Sequence, residues 1–265
     1  GCNAMKLPEK FGLELPVIVG GKRASGIQDK AKNWRNAETC QNPHEKTMKT
    51  ETCKDLYVQY GCGASAPDGW LNFDASPTLR LQRLPLIGNF VRHDKISFPK
   101  AVRFGDIRDG LPVADQSCAG AYASHVLEHL ALADFEKALH ETFRILRPGG
   151  VFRLIVPDLA FYCSRYLAEL DSGDEDACSR FMRTTHLGKE RRSRGIVASW
   201  LESLTNSKHM WMWDKVGLCA ALKRHGFTDI RSASFGDSAD LAFAAVEDPG
   251  RFANACAIEC KRPLH

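Results

Sequence analysis

Gly61 and Gly63 stand directly after a short β-prone run, Leu56 to Tyr60, and Asp74 closes a second such run, Trp70 to Phe73. The glycines remove the Cβ atoms that would hold a ligand away from the backbone. A carboxylate at the carboxyl end of the following strand can accept both hydroxyls of a ribose. Together these residues point to a nucleoside-containing cofactor. A second acid, Asp106, follows the run Ala101 to Phe104. At that edge it can accept from an exocyclic amine while Ile107 lies on a purine face, although an acid after a strand also serves as a turn former.

Two other chemistries are spelled by the same stretch. Gly61 to Ala66 fits the dinucleotide fingerprint G-x-G-x-x-G/A. That fingerprint requires a helix straight after the glycines and an acid roughly 20 residues on. Pro67, Asp68 and Gly69 spell a turn instead, and Asp74 arrives early, so nicotinamide or flavin binding is disfavoured. His125-Val126-Leu127-Glu128-His129 spells H-x-x-E-H, the inverted zinc-peptidase motif, with two imidazoles at i and i+4. Such a site needs a helix centred on the motif and a third protein ligand, whereas this motif falls at a strand end. A cap or a solvent-facing first turn accounts for Glu128 and His129 without an ion and is the preferred reading of His129, and no metal is expected.

The elements that must position these residues follow from periodicity and punctuation. Gly120 to Ser124 reads as a fourth strand, and Phe135, Leu139, Phe143 and Leu146 repeat at helical spacing until Arg147-Pro148-Gly149-Gly150 ends the helix. Val151 to Val156 is a fifth strand closed by Pro157-Asp158. Asp214 caps a helix running to His225, Gly226 ends it, and strands follow around Asp229 to Ser234 and Ala255 to Lys261. The segment 79–100, interrupted by Pro85, Gly88 and Pro99, reads as a connection with a partial helix. A chain of 265 residues, 44% hydrophobic, can bury a sizeable core. Its net charge of +4 is too small for a dedicated nucleic-acid binder. The 10 cysteines form no repeated CxxC pair and read as reduced thiols. No apolar run approaches the roughly 20 residues needed to cross a bilayer, and a cytoplasmic protein is expected.

The run Gly105-Asp106-Ile107, Leu111-Pro112, Asp115-Gln116-Ser117, Tyr122 and Ser124-His125-Val126-Leu127-Glu128-His129-Leu130 closely resembles the class I S-adenosylmethionine-dependent methyltransferases, type 11 group. The helix, Pro-Gly-Gly turn and apolar strand that follow resemble the same group. The resemblance spans about Leu56 to Asp158. It implies a Rossmann-like α/β methyltransferase fold with a mostly parallel central sheet flanked by helices, and S-adenosylmethionine as cofactor. By that resemblance Gln59, Tyr60, Gly61, Cys62 and Gly63 border the methionine part, Asp74 binds the ribose, Asp106 and Ile107 frame the adenine, and Ser124 and His125 line the site. His125 is the candidate base. Three departures stand out. Gln59 replaces the usual acid beside the amino group, Ala119 replaces a frequent Asp, and the first crossover is shortened, where parallel neighbours normally need about a dozen connecting residues or more.

Residues 1–53 read as a polar extension, and 54–265 as the methyltransferase domain with a helical acceptor-binding insert at about 159–213. In that insert Arg180, Arg183, Lys189, Arg191, Arg192 and Arg194 face the single acid Glu190, with Trp200, Trp211 and Trp213 after them. Guanidinium groups suit phosphate or carboxylate, and aromatic faces suit sugars or bases, so the acceptor is expected to be a small molecule or sugar-type compound that can be anionic. Nucleic acid is not favoured. The expected reaction is methyl transfer to oxygen or nitrogen. The alternative is a methyltransferase-like protein that binds without catalysis.

Overall fold

The computed structural model describes residues 55–83, 97–190 and 208–265. The polar extension, and with it Arg191, Arg192, Arg194 and Trp200, lies outside the described residues. Seven strands form one sheet in the order β3-β2-β1-β4-β5-β7-β6. They are β1 Leu56–Tyr60, β2 Trp70–Asp74, β3 Val102–Phe104, β4 Cys118–Ser124, β5 Leu146–Pro157, β6 Thr228–Ser232 and β7 Ala255–Lys261. β1 pairs in parallel with β2 and β4, β2 with β3, and β4 with β5, while β7 runs antiparallel to both β5 and β6. The expected Rossmann-like α/β fold is present, and every expected strand is found.

Helices follow the local signals. Ser76 caps α1, Pro77–Gln82, by accepting from the Thr78 N–H, and Pro77 occupies the first turn where its missing donor costs nothing. α2, Leu132–Ile145, buries Phe135, Ala138, Leu139, Thr142 and Ile145 on one face. It stops one residue earlier than the periodicity suggests, because Leu146 already pairs with Cys118 in the sheet. The register then jumps to Gly120 opposite Val151, so the Arg147-Pro148-Gly149-Gly150 segment is accommodated as a bulge within β5. Asp158 caps α3, Leu159–Asp171, and α4 spans Ala177–Thr184. Asp214 caps α5, Lys215–Arg224, by accepting from the Gly217 N–H.

The two faces of the sheet are covered differently. Val58, Tyr60 and Phe73, with Phe152, Leu154 and Val156 of β5, pack with Phe135, Leu139, Trp213, Leu218 and Leu222 into the main core. On the opposite face the alternation of side chains puts Tyr57, Trp70, Tyr122 and Ile155. The connection between β1 and β2 runs through residues 61–69 without a helix, so it has nothing to lay over that face. The segment between β6 and β7 covers it instead. Phe243, fully buried in the short helical turn Leu241–Ala245, packs against Trp70 at 5.5 Å and Tyr57 at 6.3 Å between ring centroids. Tyr57 donates to Asp240 at 2.8 Å. Beside this patch Arg153 is buried among Glu259, Asp237 and Glu247, at 2.6, 3.0 and 2.5 Å.

Candidate active site

The strand order reverses at β1, whose neighbours β2 and β4 are reached by crossovers in opposite directions. The carboxyl ends of strands flanking such a reversal leave a crevice in which ligands bind. Two cavities open there and share Tyr60 and Gly61 in their walls. The first, about 200 Å³, is lined among others by Asp74, Asp106, Ile107, His125 and His129. The second, about 210 Å³, includes Gln59, Cys62, Tyr122, Ser124 and Arg251. Apart from Gly63, the sequence-predicted residues are thus gathered around one strand edge.

The glycine loop is held from both sides. The Cys62 N–H donates to the Phe73 carbonyl at 3.1 Å, and Asp74 accepts from the Gly63 N–H at 2.9 Å and the Ser76 N–H at 2.7 Å. Gly61 and Gly63 both have left-handed backbones, φ +63° and +56°, but for different neighbours. A Cβ on Gly61 would lie 2.3 Å from Val126 Cγ2, so packing alone excludes a side chain there. A Cβ on Gly63 would meet nothing within 4 Å among the described residues, which leave open space above the backbone. Gln59 is buried and its amide donates to Asn72 Oδ1 at 2.6 Å and to the Ser65 carbonyl at 3.2 Å. That brace ties the short loop to β2, a task an acid at this position could not perform. Burial, then the nearby Asp74 carboxylate, push the Cys62 thiol up to about 12, so it is no nucleophile.

Asp106 is engaged by Arg108, whose guanidinium donates to both carboxylate oxygens at 2.5 to 3.1 Å. Burial would raise the carboxyl, but the Arg108 contacts outweigh it and hold it below the usual range. In the second cavity the Tyr122 hydroxyl and Ser124 Oγ are buried without a hydrogen-bond partner among the described residues. Two hydroxyls with unused capacity suit the polar end of an amino-acid-bearing cofactor.

His125 sits with φ +54°, a conformation that non-glycine residues adopt at sites over-determined by their surroundings. Its Nε2 lies 2.8 Å from the Arg251 carbonyl and its Nδ1 3.4 Å from Glu128 Oε1. Burial would lower its pKa, but the Glu128 carboxylate and the Arg251 carbonyl raise it above the ordinary value. With both nitrogens facing acceptors, the geometry suits a positioned imidazolium more than a free base.

Glu128 differs from the sequence expectation. It is 0% exposed, not solvent-facing, because its turn, Leu127–His129, is capped by the segment that precedes α5. The Met210 and Trp211 N–H groups donate to its carbonyl at 2.7 and 3.2 Å. Among the described residues neither carboxylate oxygen has a hydrogen-bond partner. Around it stand His125, His129 and His209. Burial holds His209 neutral, its pKa pushed down to about 4. His209 was not singled out in the sequence, and no local pattern marks it.

The insert is less available than its composition suggests. Arg180 pairs with Asp174 at 2.6 Å and Glu169 at 2.9 Å, and Arg183 pairs with Glu190 at 2.5 Å. Trp213 is 7% exposed and stacks at 4.4 Å on Phe135 in the core, whereas Trp211 is 42% exposed.

A mostly parallel sheet with a glycine loop after its first strand, acids at the ends of or just beyond the next two and a crevice at the reversal defines a Rossmann-like α/β protein. Residues 58–154 match the family model described as a methyltransferase domain, that of the type 11 group of the class I S-adenosylmethionine-dependent methyltransferases. No curated protein matches the chain in sequence. Similar solved structures include a methyltransferase in complex with the Haloferax volcanii Trm112 methyltransferase activator, with 16% identity over 80% of this chain and 83% of that one, TM-score 0.41. Another is an S-adenosylmethionine-dependent methyltransferase from Archaeoglobus fulgidus, with 14% identity over 78% and 86%, TM-score 0.40. A third is human N-acetylserotonin methyltransferase in complex with S-adenosylmethionine, with 17% identity over 78% and 47%, TM-score 0.38. No helix of the described residues is long and apolar enough to cross a membrane.

Proposed function

We propose that the chain binds S-adenosylmethionine and transfers its methyl group to an oxygen or nitrogen of a small-molecule or sugar-type acceptor, in the cytoplasm. The observation that carries this reading is the convergence of Asp74 and the hydroxyls of Tyr122 and Ser124, unpaired among the described residues, on adjoining cavities at one strand edge, with Gly63 held beside them by its N–H bond to Asp74. Asp74 accepts the ribose hydroxyls with the lone pairs left after Gly63 and Ser76. Ser124, Tyr122 and the oxygen of Gln59 receive the methionine end, Tyr60, Gly61 and Cys62 line its path, and Asp106 with Ile107 frames the adenine. The cofactor when bound supplies an activated methyl on its sulfonium. The chain supplies alignment and exclusion of water, with His125 as a positioning residue whose imidazolium orders the Val126 turn over Gly61. Residues 54–265 constitute this domain, with 159–213 as the acceptor-binding insert.

A second reading, cofactor or partner binding without catalysis, is favoured by the commitment of both His125 nitrogens and by the Arg108 pair on Asp106. Calorimetric titration with S-adenosylmethionine, followed by turnover of radiolabelled cofactor on a metabolite extract, separates the two. Saturable binding with label transfer supports the enzyme, binding alone supports the second reading, and no binding removes the enzyme and the cofactor-binding form of the second reading. Asp74→Ala should weaken the titrated affinity by leaving the ribose hydroxyls without an acceptor.

A further inference from the structure

We propose that Glu128, His129 and His209 form a site for one divalent transition metal of the zinc class in the wall of the cofactor cleft. The carboxylate and the two imidazoles bring one ligand atom each to within 4.8 Å of one another, and Glu128 Oε1 lies 3.9 Å from Nε2 of both histidines. Zinc holds nitrogen and oxygen ligands at about 2.0 to 2.2 Å, so two of them lie about 3.3 to 3.6 Å apart around a tetrahedral ion. The donors therefore need only to settle inward, without changing partners.

Two independent features favour an ion over a network of hydrogen bonds. Glu128 is completely buried and, among the described residues, neither oxygen has a hydrogen-bond partner; His125 Nδ1 stands 3.4 Å away, and a carboxylate so loosely engaged is expensive to bury unless further cationic charge compensates it. His129 is oriented from behind: its Nδ1 lies 2.9 Å from the Lys208 carbonyl, which can only accept, so the proton sits there and the lone pair of Nε2 faces Glu128. A lone pair aimed at a carboxylate is repulsive in isolation and productive around a metal, and a backbone carbonyl behind the ring is the usual outer partner of a ligating histidine. His125 and His186 complete the surroundings. His125 contacts the same carboxylate oxygen at 3.4 Å, and the exposed His186 ring lies 5.0 Å from His209, outside the donor set. Two imidazoles and one carboxylate suit zinc rather than magnesium or calcium, and they leave a tetrahedral ion one open position.

His129 lines the same cavity as Asp74 and Asp106, so that position is reached from the cleft. The consequence rests on the methyltransferase reading and narrows it to a hydroxyl-bearing acceptor. A hydroxyl held there loses its proton to water near neutral pH. Its oxygen forms the bond to the methyl carbon, and the electron pair of the broken carbon–sulfur bond stays on sulfur, giving the neutral thioether product. This supplies the deprotonation that His125, with both nitrogens held, does not.

The test uses the untagged full chain, stripped with a chelator and desalted, then titrated with zinc by calorimetry and with cobalt(II) by visible absorption. One equivalent of zinc and intense tetrahedral cobalt bands are expected. His129→Ala and His209→Ala should each weaken zinc binding by more than about tenfold, the loss that removing even an outer partner brings, and should abolish the bands. His129 is part-exposed, so its variant decides the matter even where Glu128→Gln fails to fold, and circular dichroism verifies folding. Melting with S-adenosylhomocysteine is followed in the same preparations. Metal binding without a melting response sustains the site while removing the methyltransferase reading. A parent that takes up no stoichiometric zinc, or folded His129→Ala and His209→Ala variants that bind it as the parent does, overturns the proposal.

Discussion

Replacing Gly63 separates cofactor approach from folding, because its missing Cβ points into open space whereas that of Gly61 points into Val126. In Gly63→Ala the folded state carries only the cost of a left-handed L residue, about 1 to 2 kcal/mol. For a domain of this size each kcal/mol moves the melting midpoint by roughly 2 to 4 °C, so the unliganded variant should melt about 2 to 8 °C below the parent. A ligand that binds only the folded state adds about 2.7 kcal/mol at a hundred times its dissociation constant. S-adenosylmethionine or its demethylated product should therefore raise the parent's midpoint by about 5 to 10 °C. If the added methyl weakens binding tenfold, the linkage at the same concentration falls to about 1.4 kcal/mol and the response roughly halves. Gly63→Val, with a branched side chain in the same space, should lose it. Gly61→Ala is the contrast: a Cβ 2.3 Å from Val126 Cγ2 should depress the unliganded midpoint further than Gly63→Ala. Scanning fluorimetry with and without cofactor reads all four proteins. Gly63 variants that fold and respond as fully as the parent would refute the assignment of this loop to the cofactor.

Phe243→Ala should cost about 3 to 5 kcal/mol in urea unfolding, because Phe243 is fully buried and covers the sheet face left bare by the helix-free crossover; a loss below about 1 kcal/mol would mean that this face is covered otherwise. Arg153→Met should destabilise by about 3 to 5 kcal/mol, the cost of leaving a buried charge without its partner, since the buried Glu247 loses its guanidinium while Glu259 keeps only that of Arg231; an unchanged urea midpoint would refute this. Burial would raise the Asp237 pKa, but Arg231 and Arg153 lower it from 3.8 to about 2. Because the folded value is the lower one, its contribution is complete above about pH 4 and is lost as the pH falls toward 2. Asp237→Asn should accordingly flatten the fall in melting temperature across that window, and an identical acid profile would count against the ion pairs with Arg231 and Arg153.

What the sequence determined by itself is local. Strand alternation, the punctuation by Gly, Pro and Asp, and the helical spacing from Phe135 placed every strand and put Gly61, Gly63, Asp74 and Asp106 at one sheet edge, because those signals act over a few residues and the strand-end rule does the rest. The environment of each side chain was decided elsewhere. Gln59 looked like a cofactor acceptor and is also the brace of the short loop, since its register partner across the parallel pair is Asn72. Trp213 looked like part of a binding surface and is core, because the bridge to Asp158 draws it over Phe135. Glu128 looked exposed and is sealed by residues that arrive only after the three helices α2, α3 and α4 and carry His209 with them. No spacing rule joins His129 to His209. Their meeting depends on how the chain returns over the strand ends, which is a property of long-range packing and burial, not of any window of sequence.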